Sequence, residues 1–150
     1  MQTKHFVAVA FIAAMSICHA QSDQVRIPTK FGEMRTNENG DLQFKGKTIA
    51  PTVNLPSSAY VIATYKLPAS DVVLVSQPAG NACPGQYAYI TVSPEAARAT
   101  PTFGTCYDED VKPVLNGESL SFTMRNVGSK GSSKYVYEKG IVTENGKPVK

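Results

Sequence analysis

The chain has 150 residues with 15 basic and 12 acidic side chains, two histidines, three cysteines and no tryptophan. Such a length holds one domain with its own core and is too short for two comfortable ones. The near-balanced charge argues against a dedicated nucleic-acid binder, which would show a clustered basic face.

Lys4 gives a positive start, and residues 6–17 (FVAVAFIAAMSI) form an apolar run interrupted by Ser16. Cys18-His19-Ala20 then places small residues one and three positions before Gln21. This is the three-part layout of a secretory signal peptide, with cleavage expected after Ala20. A spanning helix needs about twenty apolar residues, so no membrane span is expected. Ile17 is too large to precede a lipidated Cys18. A periplasmic or secreted protein follows.

Removing residues 1–20 takes Lys4, both histidines and Cys18, leaving 14 basic against 12 acidic side chains. Two cysteines remain, Cys83 and Cys106. In an oxidising compartment an even pair reads as a disulfide, and here there is one connectivity.

In chain order, residues 21–30 read as a flexible lead-in, because Pro28 discourages helix. Residues 31–150 read as a single disulfide-containing β domain. FGEMRT and DLQFKG flank Asn39-Gly40, and the same Asn-Gly device recurs at Asn116-Gly117 and Asn145-Gly146. Asn-Gly favours tight hairpins because both residues tolerate positive φ. Residues 59–66 (AYVIATYK) have strand composition, while residues 72–75 (VVLV) and 87–92 (YAYITV) are apolar without alternation. The VVLV run predicts a strand buried on both faces. Ser93-Pro94-Glu95 resembles the start of a helix of one or two turns. Phe122 and Met124 alternate with polar residues as a half-buried strand does. Residues 128–134 (GSKGSSK) read as a mobile loop, and residues 135–142 as one strand with Gly140 at a bulge or bend. Together these predict an all-β fold, a single antiparallel β-sandwich or small barrel of about eight strands.

With histidine gone after export, Ser-His-Asp and Cys-His catalysis lack their imidazole. A bonded cysteine pair cannot supply thiolate ligands, so no metal site is expected. No dinucleotide or phosphate-cradling glycine motif appears, and no cofactor is expected. Tyr135 and Lys139 have the spacing of a dehydrogenase pair but fall on strand-like sequence, where such spacing is too wide. Asp108-Glu109-Asp110 follows Cys106-Tyr107 directly. Read chemically, the cluster offers carboxylates for calcium or glycan hydrolysis; read plainly, it is a solvated loop. Tyr87 and Tyr89 should share one strand face, lining either the core or a recognition surface. Gly80, Pro84, Gly85 and Gly104 surround the cysteines and imply tight turns that hold a loop rigid. Tyr87, Tyr107, Asp108, Glu109 and Asp110 therefore form the candidate binding surface.

Residues 71–75 (DVVLV), Ala82-Cys83-Pro84 and Phe103-Gly104-Thr105-Cys106 resemble a set of small exported Gram-negative proteins with an ACP…FGTC pattern and no established activity. The resemblance spans residues 31–142. It implies export and the disulfide, and carries over no catalytic residue.

The expected function is a non-enzymatic periplasmic β-domain that binds an envelope or toxin protein, as an inhibitor or immunity-type protein does. Two other readings stand beside it. One is a structural or small-ligand-carrying envelope protein with an apolar barrel interior. The other is a carboxylate-dependent glycan hydrolase using Asp71, Asp108, Glu109 or Asp110.

Overall fold

The computed structural model of the chain describes residues 24–55, 61–77, 79–107 and 110–150. The expected leader, residues 1–20, lies outside them. Short strands joined by tight turns build three antiparallel sheets. The first holds β1 (Arg26–Thr29), β2 (Gly32–Thr36), β3 (Leu42–Phe44) and β4 (Lys47–Thr48). The middle sheet holds β5 (Val61–Lys66), β6 (Asp71–Ser76), β7 (Tyr87–Val92) and β8 (Ala97–Ala99). The last holds β9 (Val114–Asn116), β10 (Ser119–Arg125), β11 (Ser132–Glu138), β12 (Ile141–Glu144) and β13 (Lys147–Pro148). Within each sheet, neighbours in space are neighbours in sequence. The chain is all-β among the described residues, and none of the three sheets closes into a barrel.

Side-chain alternation stacks the sheets with the middle one inside. Val73, Val75, Ala88, Ile90 and Val92 pack on Ile27, Met34, Leu42, Phe44 and Ile49 of the first sheet and its exit. The opposite face, Val72, Leu74, Tyr87 and Tyr89, packs on Leu120, Phe122, Met124, Tyr135, Tyr137 and Val142 of the last sheet. Every residue of β6 is buried, as the unbroken VVLV run predicts.

The expected eight or so strands become thirteen because glycine turns subdivide them. Asn145-Gly146 joins β12 to β13 with positive φ at both residues (50° and 81°), the geometry of a type I′ turn. Lys45-Gly46 and Lys139-Gly140 do the same, at 50° and 75° and at 49° and 85°. Gly140 therefore ends β11 and starts a hairpin, where a bulge within one strand was expected. Lys139 sits in that turn, off the strand.

Three further expectations change. The second half of the lead-in is strand β1, paired to β2 and burying Ile27. Pro28 is compatible with this because β1 is an edge strand, where a missing N–H costs no ladder bond. Ser93 begins a β7–β8 turn and no helix: its N–H donates to the Ala96 carbonyl at 2.8 Å, and its hydroxyl accepts from the Ala96 N–H. GSKGSSK does connect two strands, β10 and β11, but only residues 128–131 are loop, closed by the Asn126 N–H on the Gly131 carbonyl at 3.0 Å, and Ser132, Ser133 and Lys134 already belong to β11.

Burial of β6 and β7 on both faces leaves two polar groups in difficulty. Asp71, fully buried at the start of β6, takes the Lys30 N–H at 2.7 Å and the Lys66 ammonium at 2.6 Å on Oδ2. The Lys30 ammonium stands 3.9 Å from Oδ1 and donates to the Leu67 carbonyl. Burial alone would raise the Asp71 pKa, but the Lys66 and Lys30 bonds and charges outweigh it and hold the carboxyl below its ordinary value. The other group is the Tyr89 hydroxyl, which is buried with no hydrogen-bond partner among the described residues. Burial, with Tyr65 and Tyr137 close by, pushes this phenol far above the usual tyrosine range.

Two predictions follow from these groups. A depressed folded pKa means that the Asp71 contribution is present above the unfolded value, roughly 3.9, and disappears as pH falls through the folded one. Asp71→Asn should cost about 2 kcal/mol at pH 7, the pair being partly screened through the exposed Lys66, and much less near pH 3. Urea melts at the two pH values check this, and an equal loss at both would sink the assignment. Tyr89→Phe should leave stability unchanged or raise it by about 1 kcal/mol, since no bond is lost. Tyr137→Phe should cost about that amount, because its hydroxyl bonds Thr91 Oγ1 at 2.6 Å. Thermal melts that show Tyr89→Phe to be the more damaging of the two would contradict the pairing.

Candidate recognition loop

The loop over residues 101–113 leaves β8 and reaches β9, and it is built outward from the core. Just before it, the Thr100 N–H donates to the Tyr89 carbonyl at 2.9 Å, and Thr100 Oγ1 accepts from the Tyr89 N–H at 3.1 Å. Phe103 then exchanges both backbone bonds with Tyr87, at 2.8 and 2.9 Å. Its ring stacks on Tyr89 at 5.5 Å and meets Tyr135 at 5.2 Å and Phe122 at 6.0 Å. Ring pairs of this kind add about 0.5–1.5 kcal/mol each beyond area burial. One loop residue thus sits among aromatics of two sheets.

Past Phe103 the backbone is pressed against the β6–β7 loop, residues 77–86. A Cβ on Gly104 would overlap the Gly85 carbonyl, and one on Gly85 would overlap the Tyr107 carbonyl. Gly104 also has φ +138°, a conformation that L side chains rarely adopt. Glycine is required at both positions, for the close approach. The approach brings Cys83 and Cys106 into a disulfide, with Cα atoms 4.2 Å apart. Cys106 itself has φ +61°. On the β10 side, the Thr105 hydroxyl donates to the Arg125 carbonyl at 2.5 Å. The Arg125 guanidinium covers the Tyr107 ring at 4.4 Å from its centroid.

The residues expected to form one binding surface divide. Tyr87 is 4 % exposed and packs edge-on against Phe122 at 6.1 Å, so it is a core residue. Burial of both β7 faces accounts for that correction. Tyr107 is half-buried beneath Arg125, beside the disulfide. Asp110 is exposed and stands 3.9 Å from the equally exposed Lys112 ammonium, a pair that solvent largely screens. Asp108 and Glu109 lie outside the described residues. Arg125 is a member that sequence reasoning did not find. Its place at the polar end of an alternating strand carries no signal that it reaches Tyr107.

Asp71 drops out of the glycan-hydrolase reading, and the barrel out of the ligand-carrying one. Asp71 is buried, held by two lysines, and about 17 Å along β6 from the clamped end. It cannot present a carboxylate to a glycan. A ligand-carrying barrel needs a closed sheet with a hollow interior, whereas these sheets are open and the space between them is filled by core side chains. Among the described residues, no three of His, Cys, Asp and Glu group closely enough to hold a metal ion, and no helix is long and apolar enough to cross a membrane.

The disulfide closes a 23-residue separation, for which chain entropy predicts about 3 kcal/mol. Replacing both cysteines by serine should cost roughly 2–5 kcal/mol. A native melting temperature indifferent to reducing agent would contradict this. Comparison of the chain with protein-family models, curated proteins and solved structures found no match in any of the three.

Proposed function

We propose that the chain is an exported, non-enzymatic periplasmic β-domain that binds a protein partner through the tip of the 101–113 loop. Export rests on the leader pattern of residues 1–20, with cleavage after Ala20, and on a cysteine pair suited to an oxidising compartment. The observation that carries the binding reading is Tyr107, half-exposed and fixed between the disulfide and the Arg125 guanidinium. An aromatic side chain already ordered in the free protein loses little entropy on docking, and Tyr and Arg are among the residue types enriched at binding hot spots. Acidic residues Asp108, Glu109 and Asp110 follow directly in sequence and add negative charge next to it. Such charge speeds encounter with a basic partner. An inhibitor or immunity-type protein directed at a cationic envelope-acting toxin or lysozyme fits this chemistry.

Capture from periplasmic extract tests the reading. The native protein should retain a partner that a Tyr107→Ala, Asp108→Ala, Asp110→Ala variant retains at least about ten times more weakly. Equal retention by a variant with an unchanged melting temperature would remove the loop from the interface.

A further inference from the structure

Among the described residues six strands end a sheet: β1, β4, β5, β8, β9 and β13. An edge strand offers unpaired N–H and C=O groups to any passing strand, and soluble β proteins blunt such edges with charge or proline. Five of the six do so. Arg26 and Pro28 stand in β1, Lys47 in β4, Lys66 in β5, Arg98 in β8, and Lys147 with Pro148 in β13. β9 consists of Val114, Leu115 and Asn116, with Val114 66 % and Leu115 44 % exposed.

The free groups of β9 can be assigned. β9 meets β10 through the two-residue loop Gly117-Glu118, closed by the pair Asn116 and Ser119. In such a hairpin the closing pair exchanges both backbone bonds and the pattern then alternates. Leu115 therefore turns its N–H and C=O away from β10. A strand arriving at this edge would find one donor and one acceptor on the same residue, which is what an antiparallel bonded pair needs.

We propose that β9 pairs antiparallel with β9 of a second copy of this chain, about a two-fold axis at Leu115, so that two five-stranded sheets join edge to edge. The occupant follows from self-complementarity, which a two-fold contact demands. In the register centred on Leu115, Val114 faces Asn116, Pro113 faces Gly117 and Lys112 faces Glu118 of the second copy. The axis produces two opposite-charge pairs and no like pair. The Lys112 side chain is 85 % exposed and that of its ion-pair partner Asp110 88 % exposed, so solvent screens this 3.9 Å pair and the ammonium can turn to Glu118 of the second copy. Centring β8 on its own copy would instead set two Arg98 guanidinium groups face to face. The contact is brief: Pro113 has no N–H, and its carbonyl accepts the Tyr65 hydroxyl at 3.3 Å. A weak dimer results, with Kd of about 10 μM to 1 mM. β9 pairing does not depend on what the 101–113 loop recognises.

Sedimentation equilibrium on the exported protein from about 5 μM to 1 mM provides the test. The native protein should pass from monomer to dimer across that range. Glu118→Lys sets lysines opposite each other at both ends of the contact and should raise Kd about tenfold or more. The double variant Lys112→Glu, Glu118→Lys restores opposite charges and should return Kd to within about threefold of native. Leu115→Lys should abolish the dimer, with circular dichroism confirming that each variant is folded. A native protein still monomeric at about 1 mM overturns the proposal. So does a dimer indifferent to Leu115→Lys, or a charge swap that fails to restore what Glu118→Lys removes.

Discussion

The two central strands of the middle sheet, β6 and β7, are covered on both faces, and most of the unusual chemistry of this chain answers to that constraint. β6 and β7 must be apolar on alternate residues in both directions, so their sequence carries nearly unbroken Val, Leu, Ile, Ala and Tyr. A polar group placed there has to bring its own partner. Asp71 does, through Lys66 on the neighbouring strand and Lys30 from the first sheet. Thr91 does, through Tyr137 of the last sheet. Among the described residues Tyr89 finds none, and its hydroxyl is a local cost that its ring contacts with Phe103 and Tyr137 offset. Ionisation of that phenol is out of reach at any ordinary pH, so its role is packing.

The same constraint explains how residues 103–107 of the candidate loop are held. The 101–113 loop is connected to the core through Phe103, which extends the backbone pairing of β7 and inserts its ring between the middle and last sheets. The disulfide, the Gly85 and Gly104 contacts and the Arg125 cover over Tyr107 lie one layer further out. Order therefore propagates from core to tip in four residues. Loss of the disulfide would free the outer layer while Phe103 still anchors the inner one.

Much of this architecture was legible in the residues, and its gaps have physical causes. Two-sided burial of β6 could be read from VVLV, because a strand with one wet face would alternate. The Asn-Gly turns were visible from their composition, although only Asn145-Gly146 takes positive φ at both residues, and at Asn39-Gly40 and Asn116-Gly117 the glycine alone does. Lys45-Gly46 and Lys139-Gly140 were not visible, since lysine has no preference for such turns and is carried into positive φ by the pairing of the flanking strands. Ser93-Pro94 suits the first turn of a helix and equally a hairpin turn, and only the pairing of β7 with β8 decides. β1 was hidden by Pro28, which is excluded from central strands and allowed at edges. At the loop, the clamp was legible from two cysteines and their glycines. Which tyrosine faces outward was not, because the sequence of β7 does not say that a third sheet covers it.

Burial of apolar area is non-directional, so the hydrophobic term alone says little about how the layers are aligned. Directional contacts between layers help to fix the registry. Between the first and middle sheets these are the Lys30–Asp71 pair at one end, the Lys45 ammonium on the Pro94 carbonyl at 2.6 Å, and the Ala99 N–H on the Ala50 carbonyl at 3.1 Å. Between the middle and last sheets they are Thr91 with Tyr137, Tyr65 with Pro113, and Thr105 with Arg125. The last of these adjoins the disulfide, while Asp71 sits at the far end of the same strand, β6, that leads into the clamped loop. Each end of that strand is thus tied to a different neighbouring layer. A shift of the first sheet would break the Lys30–Asp71 contact at one end of β6, and a shift of the last would break the Thr105–Arg125 bond near the other, so polar contacts as well as apolar packing hold the three meanders in one register.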